Sequence, residues 1–322
     1  MAISKITQLG IEGDYPVGTG NLALGDTALD SLTTGNYNVA IGGTSLTSNT
    51  SGERNTAVGF AVLDANTSGG YNTAVGQAAL GVNTTAGFND AFGYLALGAN
   101  TTGAANAAFG NRALASNTTA SNNTAVGVVA MTANTTGAQN VAVGTLALDA
   151  NTTASNNTAV GYSSLSANTT GACNTAVGLS ALAVNTTGNS NVALGFQALD
   201  ASSTANQNTA VGEYALSSLN GTGNTNNTAV GRAAGFSVTS GSFNTLIGMG
   251  CHNEGAGYQI TTGSCNTIIG GFNGNQGGLD IRTSNGNIVL SDGVGNPRQI
   301  ISSNGSVGFN GRIPSSGGIT LS

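Results

Sequence analysis

His252 is the chain's only histidine; it follows Cys251 directly, and Cys265 comes thirteen residues later. Imidazole and thiolate are the raw material of zinc sites and of nucleophilic catalysis. A structural zinc site needs four ligands, usually in closely spaced pairs, and these three residues supply neither the number nor the pairing. Cys173 makes the cysteine count odd, so no internal disulfide framework follows and free thiols are expected. Carboxylates offer the other route to chemistry: Asp30, Asp64, Asp149 and Asp200 are separated by multiples of 17 residues. A glycosidase needs two carboxyl groups roughly 5–10 Å apart, one to protonate the leaving oxygen and one to act as base or nucleophile. Whether these aspartates meet that condition depends on what a 17-residue interval builds.

Asn-x-Ala-x-Gly begins at Asn21 and returns every 17 residues through Asn208; looser copies follow at Asn227, Asn244 and Asn266, after insertions of two and five residues. With that Asn as position 0, Ala holds position 2 from Ala23 to Ala229, and position 3 is always apolar. Gly holds position 4, Leu position 8 from Leu29 to Leu216 (with Met131 in one copy), and Asn position 11 from Asn49 to Asn185. Such strict register argues against a disordered Gly/Asn/Thr linker and marks a repeat architecture. Seventeen residues are too few for two helices with turns, and the fixed Gly and β-branched residues oppose helix. Two short apolar segments per unit, one closed by Gly and one by Asn-Thr, predict two strands and two turns.

The predicted fold class is therefore all-β: a parallel β-solenoid (β-roll) of about fifteen 17-residue rungs, with positions 3 and 8 pointing inward. At about 4.8 Å per rung the rod reaches on the order of 70 Å. Stacking makes position 0 an Asn ladder, and Gly at position 4 implies positive φ or a close backbone approach. Asp30 and Asp64 then stand two rungs apart, about 9.6 Å. No cleft or aromatic platform is evident beside them, so these position-9 aspartates read as a solubilising charged column. Position 1 is Thr at Thr56, Thr73, Thr124 and several other copies but not throughout, so the regular Thr array of an ice-binding face is not kept. The Asn-Thr-Thr triplets match glycosylation sequons, but their periodic placement favours ladder and turn roles.

Charged residues are 6% of the chain and aromatics 5%, without tryptophan, so each rung has a thin apolar filling. Columns of Ala and Gly invite close packing of a second surface and hint at self-association. Net charge is −6 and the seven basic residues are scattered from Lys5 to Arg312. That argues against nucleic-acid binding, which needs clustered Lys and Arg. No apolar run is long enough to span a bilayer as a helix. The start, MAISKITQLG, has no apolar secretory core, so synthesis in a cytoplasm is expected.

The ends depart from the repeat. Ile3, Ile6, Leu9 and Ile11 precede Pro16 and Gly18, and residues 1–20 are expected to cap the first rung or dock into a larger assembly. Residues 278–322 alternate short apolar runs with Asp292-Gly293, Asn296-Pro297 and Asn304-Gly305, which are hairpin signals for a small β cap. The expected domains are residues 1–20, a solenoid shaft over 21–277, and a distal module over 278–322.

Asn-Thr-Ala-Val-Gly-x-x-Ala-Leu resembles the head repeats of trimeric autotransporter adhesins and, more closely, the repeat regions of bacteriophage tail fibres; the likeness covers roughly residues 21–270. The stretch from Asn287 to Gly308 is similar to the distal module that in such fibres often precedes a self-cleaving chaperone, though Phe309-Asn310 departs from that pattern. The resemblance implies a non-enzymatic homotrimeric virion fibre that attaches the particle to a host cell, with no cofactor and no catalytic or metal-binding residue. Its partners would be other virion proteins through residues 1–20 and a host surface glycan or protein at the far end. A polysaccharide-degrading tailspike and a bacterial surface adhesin are the alternatives. Loops on a rigid scaffold carry recognition, which makes His252, Glu254, Tyr258, Gln259, Arg282 and Arg298 the candidate host contacts, since they gather where the register fails.

Overall fold

The computed structural model describes residues 17–250 and 254–309, and the chain divides into two units at Thr145/Leu146. Among the described residues there is no helix. The lead-in residues Ile3 to Pro16 and the candidate contact His252 lie outside the described residues.

In the first unit eight three-residue strands follow one another: Leu22–Leu24, Val39–Ile41, Thr56–Val58, Thr73–Val75, Asp90–Phe92, Ala107–Phe109, Thr124–Val126 and Val141–Val143. Each pairs in parallel with the next, so residue n faces residue n + 17, as in Ala57 opposite Ala74. The second unit repeats the arrangement with Thr158–Val160, Thr175–Val177, Val192–Leu194, Thr209–Val211, Thr228–Val230, Thr245–Ile247, Thr267–Ile269 and Ile288–Ser291. Both units are parallel β-solenoids, eight turns each. The expected count of about fifteen rungs is one short. Asn287 takes the position-0 role four residues late, and its backbone N–H donates to Asn266 Oδ1 at 3.0 Å. After Ser291 the chain reverses: Pro297–Ile301 and Val307–Phe309 add antiparallel to the same sheet, as the hairpin signals predict.

Two expectations about the turn are corrected. Position 3 does not point inward. The strand Thr-Ala-Val alternates, and since Ala57, Ala74 and their counterparts at position 2 are fully buried, positions 1 and 3 must face out. Among the described residues, the second strand expected at the Ala-Leu segment is also absent; a second pairing occurs elsewhere in the turn, where Ala205–Asn206 pairs in parallel with Gly223–Asn224. Positions 7 and 8, such as Ala79 and Leu80, are consecutive and both fully buried, which an alternating strand cannot achieve. The backbone solves this with left-handed residues at positions 6 and 8, for example Ala78 at φ 57° and Leu80 at φ 50°. Inter-turn hydrogen bonds hold these residues: Ala78 N–H donates to Phe60 O at 3.0 Å and Leu80 N–H to Ala96 O at 3.0 Å.

The interior is built from Ala at position 2, Leu at position 8 and two Asn columns. Asn72 Nδ2 donates to Asn55 Oδ1 at 3.1 Å and to Ala86 O at 3.0 Å, and Asn72 Oδ1 accepts Asn89 N–H at 3.0 Å. Position 11, read from sequence as turn-forming, is a second buried ladder, in which Asn83 Nδ2 donates to Asn66 Oδ1 at 2.9 Å. Gly at position 4 meets both expected conditions. Gly42 has φ 124°, and a Cβ there would lie 2.2 Å from Gly59 O in the next turn.

Candidate functional site

Where the insertions fall, Glu254 Oε2 accepts a hydrogen bond from Asn273 Nδ2 at 2.5 Å, and Gln259 N–H donates to Asn273 O at 2.7 Å. Asn273 therefore ties two of the candidate contacts together. Tyr258 stacks on Phe236 with ring centroids 5.0 Å apart. Arg282 and Arg298 are each committed to an exposed ion pair, Arg282 with Asp280 at 2.7 Å and Arg298 with Asp292. The side-chain hydrogen bond from Arg282 holds the Asp280 carboxyl below the usual range. For Asp292, desolvation pushes upward, but hydrogen bonds from Asn296 and Arg298 outweigh it and the carboxyl is lowered.

The position-9 aspartates behave differently. Burial raises the carboxyls of Asp64, Asp149 and Asp200, only partly opposed by backbone N–H groups. Asp149 Oδ1 and Asp200 Oδ1 are buried without a hydrogen bond. In the turn after Asp64 the column holds Gly81, so these acids are not lined up as neighbouring pairs. Among the described residues, no three His, Cys, Asp or Glu come together as a metal site would require. Cys173 and Cys265 are free and exposed, both on left-handed backbone at position −1.

Position −1 also carries a feature that its sequence spacing reveals in retrospect. The Arg54 guanidinium sits 5.7 Å from the Tyr37 ring centroid and 5.1 Å from that of Tyr71, and it hydrogen-bonds the Tyr71 hydroxyl. Tyr71 then stacks on Phe88 at 5.0 Å, and Phe88 is 65% exposed. Phe92 and Phe109 stack in the same way at position 3, 4.9 Å apart.

No family model, curated protein or solved structure matches this chain.

The surfaces must therefore be read from their own chemistry. The broadest is the outer strand face. In the first unit it shows Phe92, Phe109, Val126, Val141 and Val143, each at least 36% exposed, and in the second Val192, Leu194, Ile247, Ile269 and Leu290. Eight turns at about 4.8 Å, each with three residues at about 3.3 Å, make a strip on the order of 350 Å² per unit. The apolar part of this strip is the position-3 column; beside it position 1 carries polar residues such as Thr56, Thr73, Asp90 and Thr124.

Proposed function

We propose that this chain is a structural, non-enzymatic fibre of a bacteriophage virion that self-associates as a homotrimer and attaches the particle to its host. The observation that carries the reading is the outward apolar column at position 3 of the strand face. The repeat spends position 3 on an apolar residue in every copy, yet that side chain is not needed inside the turn, where Ala and Leu already fill the space. A second copy packed on this face would bury what the isolated chain leaves in water, and the uniform rise keeps the columns matched along each unit. The resemblance to fibre repeats supplies the stoichiometry of three. In this reading residues 1–20 dock on the virion and the irregular region from about Gly248 faces the host.

Light scattering on the intact chain tests the assembly directly: a mass near three times 31.3 kDa is expected. Val126→Lys adds a charge on the outer face, where Val126 is 38% exposed. It is expected to weaken association while leaving the β-sheet circular dichroism of the chain unchanged. A monodisperse monomer at micromolar concentration, or an assembly indifferent to Val126→Lys together with Val143→Lys, refutes the self-association. Deleting residues 1–20 should abolish incorporation into particles, and unaltered incorporation refutes the docking end.

A further inference from the structure

Four aromatic rings meet in sequence across four successive turns of the second unit. Phe196 and Tyr214 lie 5.1 Å apart at 85°, Tyr214 and Phe236 6.2 Å apart at 77°, and Phe236 and Tyr258 5.0 Å apart at 8°. The repeat does not produce this arrangement. Tyr71 with Phe88, and Phe92 with Phe109, share one repeat position, so stacking the turns stacks the rings. Phe196, Tyr214 and Phe236 instead hold positions 5, 6 and 9, and Tyr258 lies beyond the insertion that follows Met249. The four rings run diagonally over the surface, and none is fully buried.

Ring geometry decides what such a ridge offers. A parallel pair covers one face of each ring, whereas an edge-to-face pair covers a face of only one. A stack of four parallel rings keeps only its two end faces. With two edge-to-face contacts and one parallel contact, the rings cover four of their own eight faces; Phe196 is 37% exposed, and Tyr214, Phe236 and Tyr258 are half-buried. Beside it, Glu213 and Arg232 form an ion pair at 3.0 Å, with side chains 44% and 38% exposed. Glu213 and Arg232 hold the same repeat position as Phe196, one and two turns further on, so acceptor and donor groups border the rings. The pair is neutral as a whole, and the chain carries a net charge of −6, so nothing here attracts an anion. The ridge spans three rung intervals, about 14 Å, which suits an extended ligand.

Apolar ring faces flanked by a carboxylate and a guanidinium match a molecule with C–H faces and hydroxyl edges. We propose that Phe196, Tyr214, Phe236 and Tyr258, with Glu213 and Arg232, form a binding strip for a neutral glycan. Sugar rings lie on the aromatic faces, and their hydroxyls donate to Glu213 and accept from Arg232. The assignment rests on the attachment reading and gives it a ligand chemistry.

The test uses the full-length chain and a panel of neutral hexose oligosaccharides of four to eight units, with uronate oligosaccharides and inorganic phosphate as anionic comparators. The chain has no tryptophan, so tyrosine emission reports the titration and calorimetry checks it. At least one neutral oligosaccharide is expected to bind. Tyr214→Ala should weaken it at least tenfold, Tyr214→Phe less than twofold, and Glu213→Gln by threefold or more, all with unchanged circular dichroism. If Tyr214→Ala disturbs the fold, Tyr214→Leu replaces it, and wild-type affinity in that variant overturns the role of the ring face. Absence of binding by every neutral probe at millimolar concentration overturns the proposal, as does preference for the anionic probes. Cell adsorption separates the two readings. A chain that adsorbs to cells but binds no saccharide loses the strip and keeps the attachment role, whereas one that binds saccharide without adsorbing keeps the strip and loses that role.

Discussion

Replacing Asn72 by aspartate exchanges the side-chain NH2 for an oxygen at nearly constant shape, which isolates the chemistry of the inner ladder. Asn72 is fully buried and its Nδ2 donates to Asn55 Oδ1 and Ala86 O. In Asn72→Asp both donations vanish, and two acceptors face a third. Each lost hydrogen bond costs about 1 kcal/mol; both acceptors keep another donor, the Asn72 N–H for Asn55 Oδ1 and Asn83 Nδ2 for Ala86 O. The two lost bonds alone should cost roughly 2 kcal/mol at pH 7, and the uncompensated buried charge adds to that loss, against the 5–15 kcal/mol typical of a folded domain. The new carboxyl has no cation beside it, so burial raises its folded-state pKa above the unfolded value near 3.9. The sign follows: the penalty is full above the raised pKa and shrinks as pH falls toward the unfolded value, where a protonated carboxyl restores one donor. Asn72→Ala removes the same donors without a charge, and its loss should not vary with pH in that range. Denaturant unfolding followed by circular dichroism gives the magnitude, and hydrogen exchange of residues 55–89 shows whether the damage is local. A loss below 1 kcal/mol at pH 7, or identical pH profiles for the two variants, refutes the account of the ladder.

Other perturbations follow from the same geometry. Asn185 Oδ1 is buried without a donor where the position-11 column changes to Ser202, so Ser202→Asn should extend the ladder and raise stability by about 1 kcal/mol, read as a higher denaturant midpoint. Ala105 is exposed and sits at φ 56°; Ala105→Gly relieves a left-handed cost of about 1–2 kcal/mol against an entropic loss of about 0.5–1 kcal/mol, so a small gain in melting temperature is expected. Burial raises the Asp200 carboxyl above its ordinary value of 3.8. That destabilisation is full above the folded pKa and is lost as pH falls to the unfolded value, so Asp200→Asn should raise stability at pH 7 and flatten the gain that the parent shows on mild acidification.

The turn length, the parallel stacking, the position-0 ladder and the Gly column were all legible in the sequence, because each depends on identity at a fixed interval. What failed was the path of the chain within one turn. Val at position 3 and Leu at position 8 are equally apolar, and hydrophobicity alone assigned both to the interior. Only the alternation forced by a buried Ala57 puts Val58 outside. The second segment looked strand-like because nothing in the letters Ala-Leu announces left-handed φ at Leu80 or Leu97. The position-11 asparagines looked like turn residues because Asn-Thr is a turn signal, whereas here Asn66 and Asn83 use their amides inward. Tyr37, Arg54, Tyr71 and Phe88 were findable, since they share one repeat position. The contacts among Phe196, Tyr214 and Phe236 were not, because each occupies a different position and only the folded path brings them together.

Between neighbouring asparagines of either column, the hydrogen bond has one sense. The later residue donates and the earlier one accepts, as with Asn38 and Asn21 or Asn117 and Asn100. A growing polypeptide therefore presents open acceptors at its most recently wound edge, and the next stretch of chain to arrive carries the matching donors. Closing each turn requires a loop of only about 17 residues, an entropic cost that does not grow with the number of turns already wound. Winding can thus keep pace with the ribosome, from the amino end onward, without waiting for distant sequence. The same directional bond makes one 17-residue block a unit of genetic increment: adding or removing whole blocks leaves every donor opposite an acceptor, whereas any other length of insertion must be looped out.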